Sequence, residues 1–282
     1  MKKIILSLHF FCVGLAALPA QDTFNQASSI NIPETEKLVR AGPDDIFVHL
    51  KGSGNSVVFV SGLGEDHKNW EQVQDAVSIF AETISYDRAG LGKSSYKLKR
   101  KDLPTLAWEL KKTLQSAKIS KPYLLVGHSL GCQISKQFAV MFPADVRGII
   151  FIDPGFNEEL LELTLGDSAW QQREAEIQKN RPKLGMAREA ELKELNKNCS
   201  IADDITKLPD VPVLLFTATK INPDFPGSNE ELKVKKQTHE RWLQSIPNSK
   251  QIIVPESRHY IQNDAPELVI DQIKKMLDTK LQ

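Results

Sequence analysis

The chain has 282 residues, of which 41% are hydrophobic and 26% charged, and 36 Lys and Arg residues balance 36 Asp and Glu residues. This is the composition of a globular protein, with enough length for one large domain or two small ones. The zero formal charge and the lack of a basic stripe with interleaved aromatic residues argue against a nucleic-acid partner.

The N-terminus has the features of a targeting segment. Lys2 and Lys3 precede an apolar run over 4–18, and a small residue stands at the possible cleavage site. We therefore predict a secretory signal peptide over 1–20, a polar linker over 21–35, and an exported protein, periplasmic or secreted. The alternative is a retained membrane anchor. Because the run is short for a span and lacks a clear stop-transfer flank, we favour cleavage and expect no stable membrane span afterwards.

Strand-like runs and helical patterns then alternate along the chain. The runs cover 45–51, 56–62, 81–87, 122–128, 147–153, 211–217 and 251–257, and helical patterns cover 104–117, 130–142 and 265–277. Several runs are continuous stretches of Val, Ile, Leu and Phe, which is typical of strands buried on both faces of a parallel sheet. The alternation predicts an α/β fold with a doubly wound, mostly parallel sheet.

One long connection interrupts this alternation. More than fifty residues separate the run that ends at Asp153 from the run that begins at Val211. Since a connection of this length should have structure of its own, we predict a helical cap over about 156–208, packed over the mouth of the sheet. Its segment 168–198 is rich in charge, and we expect these charges to form a solvated outer face, not a binding surface.

A possible nucleophile stands where a strand meets a helix. Gly127-His128-Ser129-Leu130-Gly131 fits the pattern G-x-S-x-G, follows a strand-like run and opens a helical pattern. The two glycines let strand and helix approach closely while the strained serine stays exposed. Ser129 is therefore a candidate nucleophile. The backbone N–H of Leu130, at the start of the helix, is a candidate oxyanion donor.

Three further segments accompany this motif. In their order along the chain, the four segments resemble those of the α/β-hydrolase superfamily of the AB hydrolase-1 type, from about residue 40 onward. FVSGLGEDHKNW (59–70) looks like its oxyanion loop, with Ser61 in place of the usual histidine. SYDRAGLGKS (85–94) is similar to its structural D-x-x-G-x-G-x-S segment, and SRHYIQNDAPELV (257–269) to its histidine loop.

This resemblance implies an α/β-hydrolase domain over 36–282, with the predicted cap inserted after the sixth strand of that fold. It also implies that the backbone N–H of Leu63 is the second oxyanion donor and that His259 is the general base of a catalytic triad.

Two aspartates are candidates for the acid of the triad. The family most often places the acid shortly after its seventh strand, and Asp224 comes a few residues beyond that position. A minority of members place it at the end of the sixth strand, where this chain has Asp153. We favour Asp153 because it ends a rigid strand, whereas Asp224 lies in a loop between prolines.

These residues predict a serine hydrolase that cleaves an ester-like small molecule, such as a carboxylic ester, thioester or lactone, through an acyl-enzyme. No metal or organic cofactor is expected, and Cys132 and Cys199 are expected to be unpaired. Two other classes stay open. One is a hydrolase-like ligand-binding or receptor protein with little turnover, and the other is a structural surface protein with a relic fold.

Overall fold

The strands in the described part of the chain form one sheet. The computed structural model describes residues 31–179 and 185–279. Its strands are β1 (Glu34–Ala41), β2 (Asp44–Lys51), β3 (Ser56–Val60), β4 (Glu82–Tyr86), β5 (Tyr123–His128), β6 (Val146–Ile152), β7 (Val213–Ala218) and β8 (Ser249–Val254). They lie in the order β1-β2-β4-β3-β5-β6-β7-β8. The β1–β2 and β2–β4 pairs are antiparallel, and the other pairs are parallel.

Helices cover both faces of this sheet. Those in the described ranges are α1 (Glu71–Val77), α2 (Leu103–Ala117), α3 (Leu130–Met141), α4 (Glu158–Leu165), α5 (Asp167–Lys179), α6 (Met186–Asp204), α7 (Ser228–Gln244), α8 (Ile261–Asp264) and α9 (Pro266–Asp278). Residues of α1 and α9 join one apolar core, and residues of α2, α3 and α7 join the other. Among the helices described, none has both the length and the apolar character to cross a membrane.

The central strands are buried on both faces, as the sequence predicts. In β3, Val58 and Val60 belong to one core, whereas Val57 and Phe59 belong to the other. Successive side chains of a strand point to opposite faces, so a strand between two helical layers needs apolar residues at every position. The prediction of a doubly wound, mostly parallel α/β sheet is thus confirmed.

The edge strand β1 is not predicted from the sequence. It begins at Glu34, inside the predicted linker, and pairs with β2 along its whole length. Most of its side chains are exposed, and Leu38 keeps 58% of its surface accessible. An edge strand with polar residues on both faces carries no hydrophobic periodicity, so only its pairing with β2 reveals it. The predicted signal peptide over 1–20 lies outside the described residues.

Three helices, α4, α5 and α6, lie between β6 and β7 along the chain. The bounds of the predicted cap, 156–208, stay a prediction. The expectation that the charges of this region form a solvated outer face is wrong for two residues, because Arg173 and Glu191 are buried. Each has an oppositely charged partner outside the region, which compensates the cost of removing the charge from water.

Candidate active site

Ser129 lies in a sharp turn between β5 and α3. Its backbone has φ 50° and ψ −119°, in a region that residues other than glycine rarely adopt. The two glycines of the motif allow the close packing around this turn. A Cβ at Gly131 would lie 2.0 Å from the carbonyl oxygen of Val60, and a Cβ at Gly127 would lie 2.4 Å from the carbonyl oxygen of Gly131. The tight approach of β3, β5 and α3 therefore holds Ser129 in its strained conformation.

In the structure, the side chain of His259 contacts that of Asp153. Nδ1 of His259 donates to Oδ2 of Asp153 at 2.8 Å, and Oδ1 of Asp153 accepts the backbone N–H of Ala218 at 2.9 Å. Asp153 directly follows β6 and has a positive φ of 44°. Asp224 is exposed in the loop before α7, where its backbone N–H donates to the side chain of Asn222. Of the two candidate acids, Asp153 is the one that contacts the imidazole.

The Asp153 carboxylate is buried and has a second cationic partner that the sequence analysis missed. Nζ of Lys235, on α7, lies 3.2 Å from the same Oδ2 that accepts from His259. Burial raises the pKa of Asp153, but the hydrogen bond from His259 and the charge of Lys235 outweigh it and lower the pKa to about 2. Asp153 is therefore ionised throughout the neutral range.

A second residue of α7 holds the turn that follows Asp153. Burial lowers the pKa of His239 to about 4, so its ring is neutral. Its Nε2 donates to the carbonyl oxygen of Pro154 at 3.0 Å, and its Nδ1 accepts from the hydroxyl of Thr217 at 2.8 Å. Lys235 and His239 are one helical turn apart, so α7 contacts both the carboxylate and the backbone of this turn.

His128 of the G-x-S-x-G motif packs directly against His259. The centroids of the two rings are 4.6 Å apart, and Nε2 of His128 donates to the carbonyl oxygen of His259 at 3.0 Å. His128 is fully buried, and burial lowers its pKa. Its position under the loop of His259 indicates a packing role.

The loop that follows β3 is held by a buried arginine. Arg88, just after β4, donates from Nη1 to the carbonyl oxygen of Ser61 at 2.7 Å and from Nη2 to that of Gly62 at 2.6 Å. The hydroxyl of Ser61, which stands in place of the family's histidine, donates to the carbonyl oxygen of Asp66 at 3.0 Å. The guanidinium thus binds two successive carbonyl groups of this loop.

Glu191 of α6 completes this arrangement. Its carboxylate accepts from Nε and Nη2 of Arg88 at 2.7 and 2.9 Å and from the backbone N–H of Gly64 at 2.8 Å. Burial raises the pKa of Glu191, but the adjacent Arg88 outweighs it and lowers the pKa. Arg88 lies in segment 85–94, which the sequence analysis identified, whereas Glu191 carries no sequence signal beyond being one of many charges in its helix.

One cavity of about 340 Å³ connects these groups. Leu63, Ser129, Asp153 and His259 all line it, and Leu130 is the first residue of α3, directly after Ser129. The backbone N–H groups in the first turn of a helix have no partner within the helix, so the N–H of Leu130 needs a partner from outside α3. Apolar side chains of the lining include Phe156 and Phe225, in the loops after β6 and β7, and Leu195 of α6.

Within the described residues, Asp66, His67 and Asp87 come close enough to hold a metal ion. Their atoms have other partners, however. Oδ1 of Asp87 accepts from the backbone N–H and from Nδ1 of His67, and Oδ2 accepts from the backbone N–H of Lys93. The cluster fastens the loop between β4 and α2 to the loop after β3.

Comparisons with known proteins agree with this architecture. A family model described as the alpha/beta hydrolase fold matches residues 55–198, about half of the chain, including the Ser129 turn and the Arg88 segment. Among solved structures, 2-hydroxy-6-oxo-6-phenylhexa-2,4-dienoate hydrolase from Rhodococcus sp. strain RHA1 superposes with a TM-score of 0.67 at 15% identity, covering 88% of this chain and 100% of that one.

Two curated proteins match a shorter part of the chain. The uncharacterized protein YqjL of Bacillus subtilis (strain 168) is 32% identical over 111 residues, 39% of this chain and 44% of its own. A RutD protein of Klebsiella pneumoniae (strain 342), whose name proposes carbamate hydrolysis, is 33% identical over 98 residues, 34% of this chain and 36% of its own. The chain thus spans less than half the length of these relatives.

Proposed function

Since the chain belongs to the alpha/beta hydrolase fold family, we propose that it is a serine hydrolase that cleaves an ester-like small molecule through an acyl-enzyme on Ser129. The observation that carries the proposal is the 2.8 Å hydrogen bond between His259 and Asp153, at the edge of the cavity that Ser129 also lines. A base oriented by a carboxylate beside a serine in a strained turn is the arrangement that activates a hydroxyl.

In the proposed reaction, Nε2 of His259 removes the proton of Ser129 as its oxygen attacks the carbonyl carbon of the substrate. Asp153 keeps Nδ1 protonated and stabilises the imidazolium. The backbone N–H groups of Leu63 and Leu130 bind the oxyanion. His259 then protonates the leaving group, and a water molecule activated by the same base hydrolyses the acyl-enzyme.

Carboxylic esters, thioesters and lactones fit this chemistry. Carbamates, which the name of the RutD relative mentions, are further candidates because their carbonyl group is attacked in the same way. The mixed apolar and charged lining of the cavity favours a small acyl group over a long alkyl chain. Fold alone does not select among these substrates, because related folds support many reactions.

A fluorophosphonate probe tests the proposal. We expect covalent labelling of the folded protein at Ser129, hydrolysis of short 4-nitrophenyl esters, and loss of both in Ser129→Ala. Ser228 lines the same cavity, and its hydroxyl donates to the backbone carbonyl oxygens of Asn222 and Phe225, so Ser228→Ala is a matched control that should still be labelled. A folded protein that binds esters but is not labelled would instead support a ligand-binding protein with little turnover.

A further inference from the structure

The cavity beside Ser129 has an unusual distribution of charge. Arg173, Lys220, Lys235 and Arg258 line it. Two of these cations have carboxylate partners: Arg173 contacts Glu231 at 2.6 Å, and Lys235 contacts Asp153 at 3.2 Å. Among the described residues, no hydrogen bond or ion pair compensates the side chains of Lys220 and Arg258.

These two cations come from adjacent strands of the sheet. Lys220 follows β7 and Arg258 follows β8, and the two strands pair up to Ala218 and Val254. Beyond that point the backbone N–H of Lys220 donates to the carbonyl oxygen of Ser257, the residue before Arg258, at 3.1 Å. The backbones that carry Lys220 and Arg258 are therefore adjacent, and both side chains line the cavity that His259 also lines.

Lys235, on α7, adds further donors to the same cavity. Its side chain is only 12% exposed, and its ammonium has three N–H donors but only the Oδ2 atom of Asp153 as acceptor among the described residues. Like charges brought together at a cavity repel each other, and a bound anion removes that repulsion while accepting strong, charge-assisted hydrogen bonds.

We propose that the substrate is an anionic ester whose acyl group carries a free carboxylate, and that Lys220 and Arg258 bind this carboxylate beside His259. The inference rests on the proposed function and narrows its substrate class. The volume of about 340 Å³ matches a small dicarboxylic acid monoester, since cavities of this size hold small ligands. Asp153, Glu158 and Glu231 are the carboxylates among the described residues of the lining, so the four cations outnumber them, and Asp153 and Glu231 are already bonded to cations.

A pair of matched substrates tests this inference. Mono-(4-nitrophenyl) adipate carries a free carboxylate, and its methyl ester is neutral and of nearly the same shape. For the wild-type protein we expect kcat/KM to be about tenfold higher for the monoester, which corresponds to one charge-assisted hydrogen bond. High salt should reduce this ratio, because screening weakens the attraction of the carboxylate to the exposed cations.

The double variant Lys220→Gln with Arg258→Gln should lower the ratio to about one. The ratio is the readout because any loss of folded protein affects both substrates equally. Lys233→Gln is the matched control: Lys233 is exposed on α7 and does not line the cavity, so its ratio should equal that of the wild type.

Two results would overturn the inference. One is a wild-type protein that hydrolyses the neutral methyl ester as well as the monoester, and the other is a double variant that keeps the wild-type ratio. In both cases ester hydrolysis by Ser129 would still stand. If neither substrate is hydrolysed and the fluorophosphonate probe does not react, the proposed function itself fails, and the substrate class fails with it.

Discussion

The two sides of the candidate active site are built in different ways. On the acid–base side, Asp153, Lys220 and His259 follow the neighbouring strands β6, β7 and β8. Helix α7 contacts the Asp153 carboxylate and the carbonyl group of Pro154. On the oxyanion side, the loop after β3 depends on a fully buried ion pair. Its members, Arg88 and Glu191, are 103 residues apart in the chain.

This difference shows two ways of fixing the position of reacting groups. Parallel strands place their carboxyl ends at one edge of a sheet, so the residues that follow them meet wherever the sheet forms. The proposed oxyanion loop, after β3, has Ser61 in place of the family's histidine, and Glu191 of α6 supplies its carboxylate anchor. The oxyanion side should therefore be the more sensitive to changes in the helices between β6 and β7.

The largest expected effect is on the acid–base side. Asp153→Asn removes the charge that stabilises the imidazolium and changes the preferred tautomer of His259, so kcat should fall by about 10⁴-fold. Asp224→Asn is the matched control, and because Asp224 is exposed in a loop its kcat should stay within about twofold of wild type. Steady-state hydrolysis of a short ester measures both. A larger loss of kcat in Asp224→Asn than in Asp153→Asn would assign the acid to Asp224.

On the oxyanion side, Glu191→Gln should lower kcat by about 100-fold with little change in KM. The reason is that the loss of charge loosens Arg88 and the backbone of Gly64, while the cavity walls remain. The variant leaves the buried Arg88 without a full counter-charge, which costs about 3–5 kcal/mol of stability. For this reason kcat is to be expressed per site labelled by the fluorophosphonate probe.

Glu189→Gln is the control for Glu191→Gln, since Glu189 is exposed on the same helix. It should behave as wild type in both kcat and thermal stability. A merely structural role for Glu191 would lower the number of labelled sites but leave kcat per site unchanged, and that result would contradict the proposed positioning of the oxyanion loop.

The smallest effect is expected at the position where the chain departs from its family. Ser61→Ala removes one hydrogen bond, to the carbonyl oxygen of Asp66, and should lower the free energy of unfolding by about 1 kcal/mol. The carbonyl oxygen of Ser61 still accepts from Arg88, so kcat should fall only a few-fold. Chemical denaturation and ester hydrolysis measure the two quantities. A loss as large as that of Glu191→Gln would show that the side chain at position 61, not the ion pair, fixes the loop.

Much of the fold could be predicted from the sequence because burial on two faces demands continuous apolar runs. The runs at 56–62 and 122–128 became β3 and β5 with their bounds nearly unchanged. The strand β1 could not be predicted, since its polar, exposed residues are held by hydrogen bonds to β2 and leave no pattern of hydrophobicity.

The residues of the candidate site likewise include some that the sequence predicts and some that only the structure reveals. By itself the sequence determined the turn of Ser129, because glycine spacing between a strand and a helix is a local property, whereas His259 is predicted through the resemblance of its segment to the family's histidine loop. Only the tertiary structure decided that Asp153 contacts the imidazole, that Lys235 shares this carboxylate, and that Glu191 anchors the oxyanion loop. These are charges whose partners lie far along the chain. A charged residue in a helix looks the same in sequence whether it faces water or a buried counter-ion, and folding alone distinguishes the two.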